Sequence, residues 1–345
     1  MSVDLSGGSY PKNSLDLLRL VAATLVLYSH QHVLTGLAEP SFFGWNTFGG
    51  AGVTIFFFLS GLLVWSSWER DPDVRRFFIR RSLRIFPALW VVVLASVFLL
   101  GPLLSNLSVP AYFSDSLSWR YLSTALLLVR NVLPGVFVDN PYPLAVNGSL
   151  WTLPVEFLCY VSVALLGQVK FVSQGIWIAL SLLCFVLLSS FAPKLLGLRF
   201  ESHFEMAAVF WWGVFYGYCS THTLTAAPQR RLALALGLIA LLLYGFVGNR
   251  GEGRTAMLVC ATALVHIGLR VSGGAKLTDR MGDLSYGLYI FAFPVQQTLA
   301  QWSQGRGWNF GMSFALSLSL TAALAYASWH LVEKPALRYK PKGRA

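Results

Sequence analysis

The chain has 345 residues, of which 55% are hydrophobic and only 12% are charged, with a mean hydropathy of +0.60. Soluble domains carry about 25% charged residues, so a water-soluble protein is excluded and an integral membrane protein is indicated. The net charge of +11 does not indicate nucleic-acid binding, because the basic residues lie between hydrophobic runs rather than in one patch. We therefore expect membrane lipids, and no nucleic acid, among its partners.

Ten hydrophobic segments follow one another along the chain, most of them 17 to 24 residues long and so able to cross a bilayer. The prediction is an all-α, polytopic transmembrane helical bundle, forming one domain over residues 1–345 with a basic cytoplasmic tail at 333–345. The segments lie near 15–35, 49–68, 83–104, 149–166, 175–191, 203–220, 232–248, 255–271, 281–300 and 309–332.

The distribution of positive charge orients these spans. If the N-terminus lies inside, 19 of the 26 Lys and Arg residues fall on the inner side. The positive-inside rule then predicts both termini in the cytoplasm and a multi-pass protein of the cell (inner) membrane. The longest loop, near 105–148, lies outside. Its Trp119, Phe137 and Tyr142 suit either stacking on a sugar ring or an interfacial aromatic belt.

The first segment, LDLLRLVAATLVLYSHQHV, contains ionisable residues at positions where hydrocarbon would make them costly. Arg19 and His30 are eleven residues apart, which puts them about 20° apart on one helix face and about 16 Å apart along its axis. We expect this polar face to line a passage between the two side chains. Two plainer interpretations stay open: Arg19 pairs with Asp16 at the inner surface, and His30 is a hydrogen-bonded core residue.

Arginines repeat in the stretch RRFFIRRSLRIFPALW, at the start of the third segment. Arg76, Arg80 and Arg84 share one helix face because they recur every four residues, and Arg81 adjoins that face. Clustered guanidiniums need an anion opposite them, and their paired donors suit phosphate. The pattern indicates either a cytoplasmic polyphosphate site or a basic loop at the lipid headgroups. Pro87 is expected to bend or begin the following span.

Two further segments contain small or acidic residues within apolar runs. Ser60 and Gly61, in GVTIFFFLSGLLVW, permit either close helix packing or the approach of a ligand to the backbone. Glu156, in SLWTLPVEF, needs a partner or a proton at its depth, so it can orient an imidazole or pair with an arginine. The four cysteines lack the spacing of a metal site, and no metal is expected.

Taken in chain order, these motifs resemble the signature of the membrane acyltransferase-3 family. The matching elements span almost the whole chain, from about residue 14 to 335: Arg-x10-His, GVTIFFFLSGLL, Arg80-Arg81-x-x-Arg84, SLWTLPVEF and VEKP. The family moves an acyl group, often acetyl, from cytoplasmic acyl-coenzyme A onto a carbohydrate or related acceptor at the outer face. The resemblance therefore implies an O-acyltransferase with acyl-CoA, above all acetyl-CoA, as its donor and a surface carbohydrate or lipid-linked glycan as its acceptor.

The resemblance also implies roles for individual residues. His30 would be the catalytic imidazole, and the donor site would contain Arg19, Arg80, Arg81 and Arg84. From the residues themselves, Glu156 is a further catalytic candidate, since Glu156 or Asp16 could orient that imidazole. Ser60 and Gly61 are placed in the donor site because small residues let a ligand approach the backbone. One departure concerns the ninth span, where relatives often read Tyr-x-x-His-x-Pro. This chain has Tyr289, Ala292 and Pro294 there, so a second intramembrane histidine is absent.

Two questions of mechanism and class stay open at this point. His30 would act either as a general base on the acceptor hydroxyl or as a transient acyl carrier. A polytopic transporter or exporter of an anionic or glycan substrate is the alternative function, since it would also contain ten spans and buried charges. Transporters often contain inverted repeats and paired broken helices, and neither is evident in this sequence.

Overall fold

The computed structural model describes residues 13–169, 173–196, 201–222, 228–246, 251–271 and 281–341, and these are mostly helical. Each of the ten hydrophobic segments coincides with a helix of fifteen residues or more. These helices are α1 (Leu15–Leu34), α2 (Phe48–Arg70), α3 (Val74–Ala95), α4 (Thr152–Leu166), α5 (Gln174–Leu196), α6 (Glu201–Thr221), α7 (Pro228–Phe246), α8 (Gly251–Arg270), α9 (Ser285–Ser303) and α10 (Phe310–Ser328).

Six helical segments within the described residues are long and apolar enough to cross a membrane. They are Leu15–Leu34, Phe48–Arg70, Val74–Leu104, Gly148–Leu166, Gln174–Phe191 and Phe310–Leu337. The all-α prediction is confirmed. That the other four helices also cross, and that both termini are cytoplasmic, stay predictions.

The third helix begins nine residues before its predicted start at residue 83. Asp73 caps it, because the Asp73 carboxylate accepts a 2.8 Å hydrogen bond from the Arg76 amide. Pro87 lies inside the helix, which continues through a π-helical turn, Ser96–Leu100, to Leu104. The arginine repeat therefore stands on the same continuous helix as the apolar span.

The last helix likewise runs past its predicted end at residue 332. After α10 the chain forms a π-helical turn, Trp329–Glu333, and one more helical turn, Lys334–Leu337. Pro335 does not end it, because a proline in the first turn of a helix needs no amide donor. Part of the predicted basic tail is therefore helical, and it packs against α3.

Helix α2 packs between α1 and α6 in the middle of the bundle. A Cβ at Gly61 would lie 1.9 Å from the Phe210 carbonyl oxygen, and one at Gly213 would lie 2.2 Å from that of Phe58. Two glycines thus let α2 and α6 approach closely. This packing accounts for Gly61, which faces α6.

A short hairpin precedes α2. Strands β1 (Ser41–Phe42) and β2 (Asn46–Thr47) pair antiparallel, and the Thr47 hydroxyl then caps α2 by accepting a 3.0 Å hydrogen bond from the Gly50 amide. The hairpin therefore leads directly from the end of α1 to the start of α2.

The long segment between α3 and α4 contains only short helices. They are Val109–Ser114, Ser116–Arg120 and the 3-10 turns Tyr121–Leu126 and Gly148–Trp151.

Candidate active site

Two cavities lie at different levels of α1. The first, of about 690 Å³, is lined by Arg19, Arg80, Arg81 and Arg84, and we call it the arginine cavity. The second, of about 1010 Å³, is lined by His30, and we call it the histidine cavity. Arg19 and His30 thus both face the protein interior, as their shared helix face predicted.

The arginine cavity has an excess of positive charge. Seven cationic side chains and three carboxylates line it among the described residues. The cations are Arg19, Arg70, Arg80, Arg81, Arg84, Lys334 and Lys340, and the carboxylates are Asp16, Glu156 and Asp283. Such a surface suits a ligand with several negative charges.

Arg84 joins the ends of three helices. Its guanidinium lies 2.6 Å from the Asp283 carboxylate, just before α9, and 3.7 Å from Glu333, just after α10. Asp283 also lies 3.6 Å from Arg19, which in turn lies 3.5 Å from Asp16. The predicted pairing of Arg19 with Asp16 is therefore present, but Arg19 lines the cavity as well. Arg84 is largely engaged in holding the helices together.

Arg76 and Arg80 share one carboxylate. Asp71, in the turn before α3, lies 2.6 Å from Arg76 and 2.7 Å from Arg80. These hydrogen bonds, that of Arg76 above all, hold the pKa of Asp71 well below its usual range. Arg80 lines the arginine cavity, whereas Arg76 does not.

Arg81 differs from its neighbours. No described residue forms an ion pair with it, and its Nε is buried without a hydrogen-bond partner in the described part of the chain. Its guanidinium carbon lies 5.7 Å from the ring centre of Phe77 and 5.8 Å from that of Tyr160. Glu156 adds an electrostatic attraction without forming an ion pair with it. A guanidinium that forms no ion pair with a described residue is suited to an incoming anion.

Glu156 belongs to the arginine cavity. Its Oε1 accepts hydrogen bonds from the Ser60 hydroxyl at 2.6 Å and the Tyr160 hydroxyl at 2.5 Å. The structure therefore does not bring Glu156 to His30, and a direct orienting contact between the two is not found. Ser60 lines the arginine cavity as predicted, but Gly61 packs against α6 and does not.

His30 presents one ring nitrogen to the histidine cavity. Its Nδ1 is buried without a hydrogen-bond partner among the described residues, and its ring meets the Phe293 ring edge-on at 5.3 Å. Nε2 is thus the nitrogen left to meet a ligand. The alternative of a hydrogen-bonded core histidine does not fit this environment. Glu39, which the sequence analysis missed, lines the same cavity and accepts a hydrogen bond from Ser29.

Aromatic side chains also line the histidine cavity, but not the ones predicted. Trp45 and Trp151 lie in its lining. Trp119 instead packs against its own loop, where its Nε1 donates a 2.8 Å hydrogen bond to the Phe113 carbonyl, and Phe137 is buried. Trp151 stands within the SLWTLPVEF motif, so the sequence did contain a signal for it.

Val53 and Tyr289 separate the two cavities. They alone, among the described residues, line both. The Tyr289 hydroxyl donates a 2.8 Å hydrogen bond to the Ser149 carbonyl and lies 2.7 Å from Thr152 Oγ1. No local sequence pattern relates these two residues, because they lie 236 positions apart.

Ala292, where relatives often have histidine, is buried in a small apolar cluster. Its neighbours there include Leu27 and Leu288. One turn later, Gln296 Nε2 donates hydrogen bonds to the Leu27 carbonyl at 2.8 Å and to Gln31 Oε1 at 2.9 Å. A polar contact between α9 and α1 thus exists without a histidine at position 292.

Comparison with known proteins agrees with this geometry. The family described as "Acyltransferase domain" matches residues 12–330. The chain is 32% identical to an O-acetyl transferase of Shigella phage Sf6, over 96% of this chain and 98% of that protein. It is 27% identical to nodulation protein 10 of Rhizobium leguminosarum bv. viciae, over 95% and 94%.

A peptidoglycan O-acetyltransferase, OatA of Listeria monocytogenes, is 32% identical over 43% of this chain and 23% of its own length. No solved structure matches the chain significantly. Because the family match covers nearly the whole sequence, the chain belongs to the acyltransferase-3 family, and it is an acyltransferase.

Proposed function

We propose that this protein is a multi-pass O-acyltransferase of the cell (inner) membrane. It would move an acyl group, acetyl in the first instance, from cytoplasmic acyl-coenzyme A to a hydroxyl of a cell-surface carbohydrate or lipid-linked glycan. One observation carries the proposal: a cationic cavity and an imidazole cavity lie at two levels of α1 and share a wall of two side chains, Val53 and Tyr289.

The arginine cavity would hold the donor. With ten spans and both termini in the cytoplasm, this cavity opens to the cytoplasmic side, where coenzyme A is found. Arg81 would bind a phosphate directly, and Arg19, Arg80 and Lys340 would add positive charge around it. The pantetheine arm would then extend along α1, since its length is similar to the rise of about 16 Å between Arg19 and His30.

His30 would perform the transfer at the end of this arm. As a general base, Nε2 takes the proton from the acceptor hydroxyl while the hydroxyl oxygen attacks the thioester carbonyl. The carbon–sulphur bond then breaks, the coenzyme A thiolate leaves, and His30 returns the proton to that sulphur. Glu39, in the same cavity, would stabilise the transient imidazolium by its charge. As an acyl carrier, His30 Nε2 would instead attack the thioester carbonyl, and the carbon–sulphur bond would break with loss of the coenzyme A thiolate. The acceptor hydroxyl would then attack the acyl-imidazolium, which releases neutral His30, and the hydroxyl proton would pass to the thiolate.

The histidine cavity would hold the acceptor. Trp45 and Trp151 offer flat apolar surfaces on which a sugar ring can stack, and the Glu205–Arg254 ion pair, at 2.9 Å, adds polar groups to the lining. The named activity of the Listeria relative, which acts on peptidoglycan, supports a glycan acceptor.

The test uses purified protein in liposomes with radiolabelled acetyl-CoA and a surface-glycan precursor. His30→Ala should abolish transfer while the protein still binds coenzyme A and unfolds at the wild-type temperature. His32→Ala is the matched control: it lies two residues away, and its Nδ1 meets the Tyr28 carbonyl at 3.0 Å. Full transfer by His30→Ala, or equal loss in both variants, would reject the catalytic role.

A further inference from the structure

Two residues, Val53 and Tyr289, line both cavities and so form the wall between them. Tyr289 is fixed by the hydrogen bonds of its hydroxyl to Ser149 and Thr152 and by an edge-on contact with the Phe56 ring at 5.6 Å. Moving the ring out of the way would leave a buried hydroxyl without a partner, which is costly. The other residue of the wall is Val53, whose branched side chain is stiff.

The backbone beside Val53 is also fixed. A Cβ at Gly52 would lie 2.5 Å from the Ala22 carbonyl oxygen and 2.8 Å from Val26 Cγ2, so α2 is in close contact with α1 at this level. Helix α2 therefore has no room to move toward α1. With α2 held against α1 at this level, the side chain at position 53 contributes directly to the space between the cavities.

We propose that Val53 and Tyr289 form the constriction through which the acyl thioester reaches His30, and that Val53 limits the length of the acyl chain that can be transferred. This inference rests on the proposed function. The donor phosphates lie in the arginine cavity and the imidazole in the histidine cavity, so the acyl end of the donor must pass the two residues that line both. A short acyl group fits between a valine and a fixed ring, whereas each further methylene needs space that Val53 fills.

The test compares acetyl-, propionyl-, butyryl- and hexanoyl-CoA as donors. Val53→Ala removes two methyl groups from the constriction, and it should raise the ratio of kcat/KM for butyryl-CoA to that for acetyl-CoA by about tenfold, the usual effect of one methylene in an apolar pocket. Val53→Phe should lose transfer from every donor, because the larger side chain blocks the constriction. The dissociation constant of this variant for coenzyme A should stay within about twofold of the wild-type value, because the arginine cavity is unchanged.

Val64→Ala is the matched control, since Val64 is fully buried on the same helix and lines neither cavity. It should leave the butyryl-to-acetyl ratio unchanged, which separates chain-length selection from general destabilisation. The inference is overturned, and the proposed function stays intact, if the wild-type enzyme transfers acyl groups and Val53→Ala has the same ratio of kcat/KM for butyryl-CoA to that for acetyl-CoA. A folded wild-type protein that binds no coenzyme A overturns both.

Discussion

Replacing Arg81 with Gln should weaken donor binding without destabilising the fold. In the part of the chain that the structure describes, Arg81 has no carboxylate partner, and the charged side chains nearest to it in sequence, Arg80 and Arg84, are also positive. Removing its charge therefore breaks no ion pair with a described residue. It removes repulsion from Arg19 and Arg80 and also an attraction to Glu156. The free energy of unfolding should therefore change little.

The effect on the donor follows from the hydrogen bonds that would be lost. A hydrogen bond to a charged group contributes about 1.5–3 kcal/mol, and each 1.4 kcal/mol changes an affinity tenfold. The KM for acetyl-CoA should therefore rise about 10- to 150-fold, whereas kcat should change little, because the guanidinium binds a part of the donor that does not react.

The assay measures initial rates against acetyl-CoA concentration for wild type, Arg81→Gln and Arg76→Gln. Arg76 provides the matched control: it stands on the same helix, outside the cavity, and Asp71 keeps Arg80 as a partner at 2.7 Å when Arg76 is replaced. An unchanged KM in Arg81→Gln, or an equal rise in both variants, would refute the assignment of Arg81 to the donor.

Three further predictions concern stability and pH. Arg84→Met should lower the melting temperature as well as activity, because Asp283 loses its 2.6 Å partner and keeps Arg19 at 3.6 Å. The cost should therefore be below the roughly 3–5 kcal/mol of a buried charge left without any partner. Adding Asp283→Asn should restore part of the loss, and an unchanged melting temperature would contradict the structural role. Gly61→Ala should also lower the melting temperature, because overpacking should reduce the free energy of unfolding by about 1–3 kcal/mol or more. Gly311→Ala should leave the melting temperature unchanged, because its Cβ meets nothing nearer than 3.5 Å. The donor KM should rise as pH rises through about 8, because desolvation and the neighbouring guanidiniums lower the pKa of Lys340 to about 8, so its charge is present below that pH and lost above it. Lys340→Gln should flatten this profile, and a pH-dependence equal to that of the wild type would exclude Lys340 as its source.

Local sequence patterns account for the positions of the helices and for part of the site. Hydropathy and the helical period are local properties, so each predicted segment coincides with a helix, and Arg19 and His30 face the interior together. The errors at the ends of helices are also local: Asp73 caps α3 ahead of its hydrophobic run, and Pro335 is accommodated in a first turn.

How the polar groups are shared between the helices depends on tertiary packing. Asp283 and Glu333, from distant parts of the chain, engage Arg84, whereas no described carboxylate forms an ion pair with Arg81. Glu156 meets Ser60 rather than His30. The order of residues along a helix determines which of its faces is polar. The partner of that face depends on how the helices pack, and packing follows from the shapes of all the surfaces together.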